Sequence, residues 1–250
     1  MDGSFWLIAF LLVVLAGVIW KLKQIGGRHG KADWGGPFLN NLDGLMRVFC
    51  VRFHRMKHEP LPVPQAGGAI VAANHLSGLD PILLSAASRR PLRFVIATEQ
   101  YKRPVLRWFY DLIGCIPVNR TGSPDRAFYS ARRALAEGEI VVLFPQGSIR
   151  MPGAARKPLK RGVIALAAMA RVPIIPVRIS GVAGAGRIVS ALFIRSRARI
   201  HAGAPLEVSD SRDKRTLLAI EEFITRGVYQ DYREYFDADG KLRNRARNRG

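Results

Sequence analysis

A mixed, mostly parallel α/β sheet flanked by helices, with an N-terminal helical membrane anchor in front of it, is what the 250-residue chain predicts. Two patterns carry this. Apolar runs of strand length alternate with helix-like stretches through the body, as in a sheet covered by helices on its faces. Ahead of the body, Phe5 to Trp20 is a sixteen-residue run without a charge.

As a helix that run would reach about 24 Å, close to the thickness of a bilayer core. It lacks the basic leading region and small-residue cleavage site of a secretory signal, and Trp6 and Trp20 stand where interfacial aromatics belong. It reads as a retained anchor. Lys21, Lys23, Arg28 and Lys31 follow it while Asp2 precedes it; a spanning segment then puts the body on the cytoplasmic side of the cell membrane, with a re-entrant or in-plane helix as the alternative. From Trp34 to His58, Phe38, Leu42, Leu45, Phe49 and other apolar residues mix with Arg47, Arg52, Arg55 and Lys57. That spacing predicts an interfacial helix whose basic residues meet anionic headgroups. Pro60, Pro62 and Pro64 then mark an extended linker. The expected divisions are therefore an anchor and interfacial helix over 1–58, a catalytic body over 59–236 and a basic tail over 237–250.

Within the body, Gly68 to Ala73 reads as a short buried strand, and Asp80-Pro81 before Ile82-Leu83-Leu84 reads as an N-cap with proline at the first helical position. Strands are expected at Arg93–Ala97, Ile140–Phe144, Ile174–Ile179 and Ala198–His201. Helices are expected from Ser123 to Gly138, with a cap, a first-turn proline and a closing glycine, and from Lys160 to Arg171.

The formal charge of +20 raises the question of nucleic acid. The positive residues cluster after the anchor, around Arg150, Arg156, Lys157, Lys160 and Arg161, and in the tail. With an apolar anchor in the same chain, the first and third clusters fit anionic lipid and argue against a nucleic-acid partner. Only Cys50 and Cys115 are present, too few for a disulfide framework and in no metal-ligand spacing.

Chemistry enters at Ala73-Asn74-His75-Leu76-Ser77-Gly78-Leu79-Asp80. A histidine at a strand mouth can take a proton near neutral pH, and a carboxylate on its other ring nitrogen fixes the tautomer and stabilises the imidazolium. No Gly-x-Ser-x-Gly elbow is present, and Ser77 reads as a turn residue. Three more segments follow: Gly114-Cys115-Ile116-Pro117-Val118-Asn119-Arg120, Phe144-Pro145-Gln146-Gly147-Ser148-Ile149-Arg150 and Val172-Pro173-Ile174-Ile175-Pro176-Val177.

This succession resembles the glycerolipid acyltransferase family, most closely the bacterial 1-acylglycerol-3-phosphate acyltransferases, over about residues 60 to 206. The resemblance implies an α/β fold and direct acyl transfer from acyl-CoA or acyl carrier protein, used as co-substrate without metal or other cofactor, to a membrane lipid hydroxyl. His75 would be the general base and Asp80 its orienting group. Asn74, Arg120, Gln146, Gly147, Ser148 and Arg150 would serve the substrates, Arg120 by a forked contact to the acceptor phosphate and Gly147 by admitting backbone N–H groups to it. The third block departs from the family's usual Phe-Pro-Glu-Gly-Thr-Arg-Ser. Gln146 replaces the glutamate, Ser148 the threonine, and the arginine stands one place later at Arg150. The expected product is phosphatidate. A different acceptor, whether lysophospholipid, aminolipid or glycosylated lipid, stays open on account of Gln146, as does a non-catalytic lipid-binding protein on the same fold.

Overall fold

The computed structural model describes residues 3–102, 104–119, 125–151, 153 and 158–228. Eight helices and seven strands are found among them. In chain order they are α1 (Gly3–His29), α2 (Pro37–Arg52), β1 (Lys57–His58), β2 (Ala69–Ala73), α3 (Asp80–Ala87), β3 (Leu92–Ala97), α4 (Thr98–Tyr101), α5 (Pro104–Leu112), β4 (Ile116–Val118), α6 (Asp125–Ala136), β5 (Ile140–Leu143), α7 (Gly162–Ala170), β6 (Ile174–Ser180), β7 (Arg199–Ala202) and α8 (Lys214–Arg226). A 3-10 turn, Ser190–Phe193, interrupts the β6–β7 connection.

The strands form one sheet in the order β1-β7-β6-β2-β5-β3-β4. All neighbours are parallel except β6 and β7. The mixed, mostly parallel α/β architecture expected of the sequence is thus the architecture observed. All five residues of β2 are buried, as an apolar central strand covered on both faces must be. Its side chains alternate between two cores. Ala69, Val71 and Ala73 join Cys50 of α2 and Leu83 and Leu84 of α3 on one face, and Ile70 and Ala72 join α6, α7 and α8 on the other.

Helix α1 continues well past the uncharged run, to His29. Its residues Ser4–His29 are long and apolar enough to cross a membrane, with none of the most apolar window buried inside the protein. Only its last turns pack, and they pack through small residues. A Cβ on Gly44 would fall 1.9 Å from the Gly26 carbonyl oxygen, and one on Gly26 would fall 2.5 Å from that of Asn41.

Helix α2 corrects one expectation. Its inward face carries Asp43, Gly44, Arg47 and Cys50, and Arg47 does not reach out to headgroups. Its guanidinium is buried, held by Asp43 at 2.7 and 3.0 Å, and it donates to the carbonyls of Ser85, Ala86 and Ser88. Those carbonyls lie at and just past the end of α3, where helical donors run out. Pro37, Phe38, Val51 and Arg52 are the exposed members of α2. The tail 237–250 lies outside the described residues, as do Arg156, Lys157 and the Ser123-Pro124 start expected for α6.

Candidate active site

Strand β2 ends at Ala73, and the next six residues turn the chain into α3. Neighbouring β5 and β6 end at the same edge. Beyond β2 the chain passes to β3 on one side, and beyond β6 it passes to β7 on the other. Open α/β sheets bind ligands at such a divergence.

Asp80 does not cap α3, contrary to the sequence expectation. It is the first helical residue, the cap position being Leu79, and its carboxylate folds back into the turn. There it accepts the Leu76 N–H, the Ser77 N–H at 2.9 Å and the Ser77 hydroxyl at 3.3 Å. His75 Nδ1 lies 2.8 Å from Asp80 Oδ2. The carboxylate is wholly buried, whereas the imidazole is 18% exposed. An acceptor-only carboxylate requires the proton on Nδ1, which leaves the Nε2 lone pair as the basic site. Ser77 is occupied within the turn, its oxygen also accepting the Leu79 N–H at 3.1 Å.

The segment after β5 grips the main chain of the same histidine. Gln146 Oε1 accepts the His75 N–H at 2.9 Å, and the Arg150 N–H donates to the His75 carbonyl at 2.9 Å. Phe144 stacks on the imidazole, with ring centroids 4.0 Å apart and planes 14° from parallel. Phe144 is the residue whose part the sequence reading missed. A strand-end aromatic two places before Gln146 was the available signal, but the ring contact crosses about seventy residues of chain.

Asn74 is buried, and both ends of its amide meet Ile179. Its Nδ2 donates to the Ile179 carbonyl at 2.9 Å and its Oδ1 accepts the Ile179 N–H at 2.7 Å. A side chain thereby prolongs the β2–β6 ladder by one rung. This geometry fixes where His75 stands; it does not aim the amide at a ligand. Gly147 has φ +77°, and a Cβ there would lie 2.7 Å from Lys160 Cε. The glycine is required by both its dihedral and the lysine stem lying across it. Lys160 is therefore the described cation set on this loop. Ser148 is partly buried close by, and Arg150 contributes its main chain while its side chain is exposed. Arg120 lies outside the described residues. The strand that leads to it, β4, is third from β2 in the sheet, about 14 Å away at ordinary inter-strand spacing.

A second chain segment rests on the His75–Asp80 turn. Gly78 N–H donates to the Arg187 carbonyl and Gly186 N–H to that of Leu76, and a Cβ on Gly78 would sit 2.2 Å from the Ile188 oxygen. Both cysteines are buried, and burial pushes each thiol up to about 12, so neither is a nucleophile.

Known proteins with this pattern carry consistent names. The chain is 25% identical over 170 residues to the 1-acyl-sn-glycerol-3-phosphate acyltransferase of Bacillus subtilis, covering 66% of this chain and 82% of that one. It is 32% identical over 125 residues to a protein of the same name from Chlamydomonas reinhardtii, covering 49% of this chain but only 37% of the relative. In structure it resembles the 1-acyl-sn-glycerophosphate (LPA) acyltransferase PlsC of Thermotoga maritima, with TM-score 0.61, 20% identity, and 89% and 91% of the two chains covered. That likeness shows a shared fold. The family model described as Acyltransferase matches residues 54–180, just over half of the chain and the stretch that holds β2, the His75–Asp80 turn and the loop after β5. The chain belongs to the acyltransferase family.

Proposed function

We propose that the protein transfers a fatty acyl chain from an acyl thioester to the free hydroxyl of 1-acylglycerol-3-phosphate, giving phosphatidate. The observation that carries this reading is the 2.8 Å contact between His75 Nδ1 and the buried Asp80 carboxylate, with the imidazole open to solvent. Nε2 takes the proton of the acceptor hydroxyl as its oxygen attacks the thioester carbonyl. The tetrahedral adduct collapses by breaking the carbon–sulfur bond, and the imidazolium returns its proton to the departing thiolate. Asp80 stabilises the imidazolium between these steps without itself moving a proton. Stacking on Phe144 and the two main-chain hydrogen bonds from the β5 loop hold the ring in place, and a base held in place needs little reorganisation at the moment of reaction.

Gln146 supports the phosphatidate reading. Its oxygen is spent on the His75 N–H, an acceptor's task that a glutamate at this place performs equally. The exchange therefore bears on the base and leaves the phosphate side of the site alone. Lys160 over Gly147, the Gly147-Ser148 turn and Arg120 are the groups proposed for the acceptor phosphate. The names of the relatives point to the same acceptor. Helix α1 is proposed to span or enter the membrane, with the sheet on the cytoplasmic side.

The test is transfer by the purified full-length protein in detergent, offered lysophosphatidate and a panel of other lyso-lipids with acyl-CoA and with acyl carrier protein as donors. Phosphatidate formed by the wild type and lost in His75→Ala supports the proposal. Transfer to a phosphate-free acceptor in preference to lysophosphatidate sinks the acceptor assignment, and equal turnover in His75→Ala sinks the mechanism.

A further inference from the structure

Away from the catalytic turn, the far edge of the sheet carries a cavity of about 890 Å³ that the acceptor chemistry does not use. Its floor follows from register. Lys57 pairs with Arg199 across β1 and β7, Arg199 with Ser180 across β7 and β6, and His201 with Arg178. Side chains two apart along a strand share a face, so Arg178 and Ser180, Arg199 and His201, and Lys57 and Glu59 pave one surface. Glu59 is the only acid among the residues lining it. Like charges directly across neighbouring strands are destabilising. The sheet accepts that cost at Lys57 and Arg199, with Arg178 on the next strand and a single acid among the lining residues, an arrangement that an anionic ligand would offset.

Two features define the ligand. From β6 to β1 the cations spread over two inter-strand spacings, about 10 Å, too far for one phosphate to touch them all. The cavity is also concave and of the size that holds a nucleotide-scale molecule; a carrier protein would present a convex surface to it. Position defines the rest. Ile175, Val177 and Ile179 of β6 face the α2–α3 side, so Arg178 and Ser180 face the α8 side, opposite the helices that lead to the membrane. A ligand there arrives from water. Ser180 follows Ile179, whose main chain Asn74 holds next to His75. Two chain steps and one inter-strand spacing put the near rim within about 13 Å of the base.

We infer that this cavity binds the phosphate-bearing nucleotide end of the acyl donor, a 3′-phosphate and 5′-diphosphate such as coenzyme A carries, with the pantetheine arm reaching past Ser180 to His75. The inference rests on the acyl-thioester reading proposed above, and two measurements separate them. In the first, adenosine 3′,5′-bisphosphate is titrated against the full-length protein in detergent. Saturable binding, weakened at least tenfold in the exposed double variant Lys57→Glu/Arg199→Glu, is expected. No saturable binding, or binding indifferent to the variant, overturns the site whether or not transfer is ever detected. In the second, the ratio of kcat/KM for acyl-CoA to that for acyl-pantetheine, which lacks the nucleotide, is compared between the two proteins. A fall of tenfold or more is expected. An unchanged ratio in an active enzyme overturns the donor role and leaves the acyltransferase reading standing, whereas absence of transfer from every thioester by the wild type defeats that reading and leaves the titration to decide the cavity.

Discussion

Asp80 meets four donors and no acceptor, so an asparagine there would turn an amide against N–H groups that need a lone pair. Asp80→Asn is accordingly expected to cost transfer steeply, and His75→Ala on the order of a hundredfold or more, in initial-rate assays with circular dichroism to confirm a folded protein. Gln146 separates shape from charge. Gln146→Glu keeps the oxygen on the His75 N–H and should stay within a few-fold of wild type, whereas Gln146→Ala leaves that N–H without its acceptor and should lose about tenfold in kcat, as misplacing a catalytic group does. The cysteines give a prediction on pH. Folded thiols raised from the ordinary 9.0 to about 12 stay protonated when unfolded ones ionise, so their contribution to stability is whole below pH 9 and is lost as pH climbs from 9 toward 12. At pH 8 an aromatic disulfide reagent should label neither Cys50 nor Cys115 until the protein is denatured. The His75–Asp80 pairing was legible because both residues lie within one turn. The ties from Phe144, Gln146 and Ile179 to that turn cross 69, 71 and about a hundred residues, and a linear pattern holds no trace of them.

Arg47 joins two helices that no local pattern connects. Removing its guanidinium leaves the buried Asp43 without its counter-charge and the Ala86 and Ser88 carbonyls without its donors, so Arg47→Ala should lower stability by about 3–5 kcal/mol, read from urea unfolding of the detergent-solubilised protein. Arg47→Lys should recover little of it, since one ammonium cannot reproduce the fork. Strands β2, β3, β5, β6 and β7 were readable to within a residue or two, β2 and β5 because their side chains are apolar and largely buried, the others because apolar residues recur along them even where β6 and β7 also carry Arg178, Arg199 and His201. Two strands were not. β1 is two residues long and reads Lys-His, and β4 contains Pro117 at the sheet's edge, where a proline is tolerated. Helices α5 and α8 escaped as well, being amphipathic segments without an apolar run to announce them. The outward reading of Arg47 failed for a related reason, since periodicity identifies which residues share a face and leaves open which face turns inward.

Charge and hydropathy mark an apolar lead ahead of an α/β body, yet the join between them became visible only in three dimensions, where β1 at Lys57–His58 already belongs to the sheet. Deleting residues 1–33, the whole segment that composition marks, would strip the packed end of α1 from α2. Deleting residues 1–20 removes the exposed apolar stretch and spares the Gly26–Gly44 contact. That shorter deletion is expected to move most of the protein into the soluble fraction with its fold retained. High salt alone should leave the intact chain with the membranes, because salt screens charge and does not reverse apolar burial. Clean release by salt in a flotation experiment would count against an embedded α1.

The glycine-to-glycine crossing of α1 and α2 has a mechanical meaning. The backbones of α1 and α2 meet at Gly26 and Gly44, and Arg47 fastens α2 to α3, so the end of the apolar helix is braced against the helix that follows the His75–Asp80 turn. An enzyme so built is mounted on a strut and not moored by a leash. With α1 embedded as proposed above, the His75–Asp80 turn would ride at one stand-off from the bilayer, and the acceptor hydroxyl would have to be presented at that height.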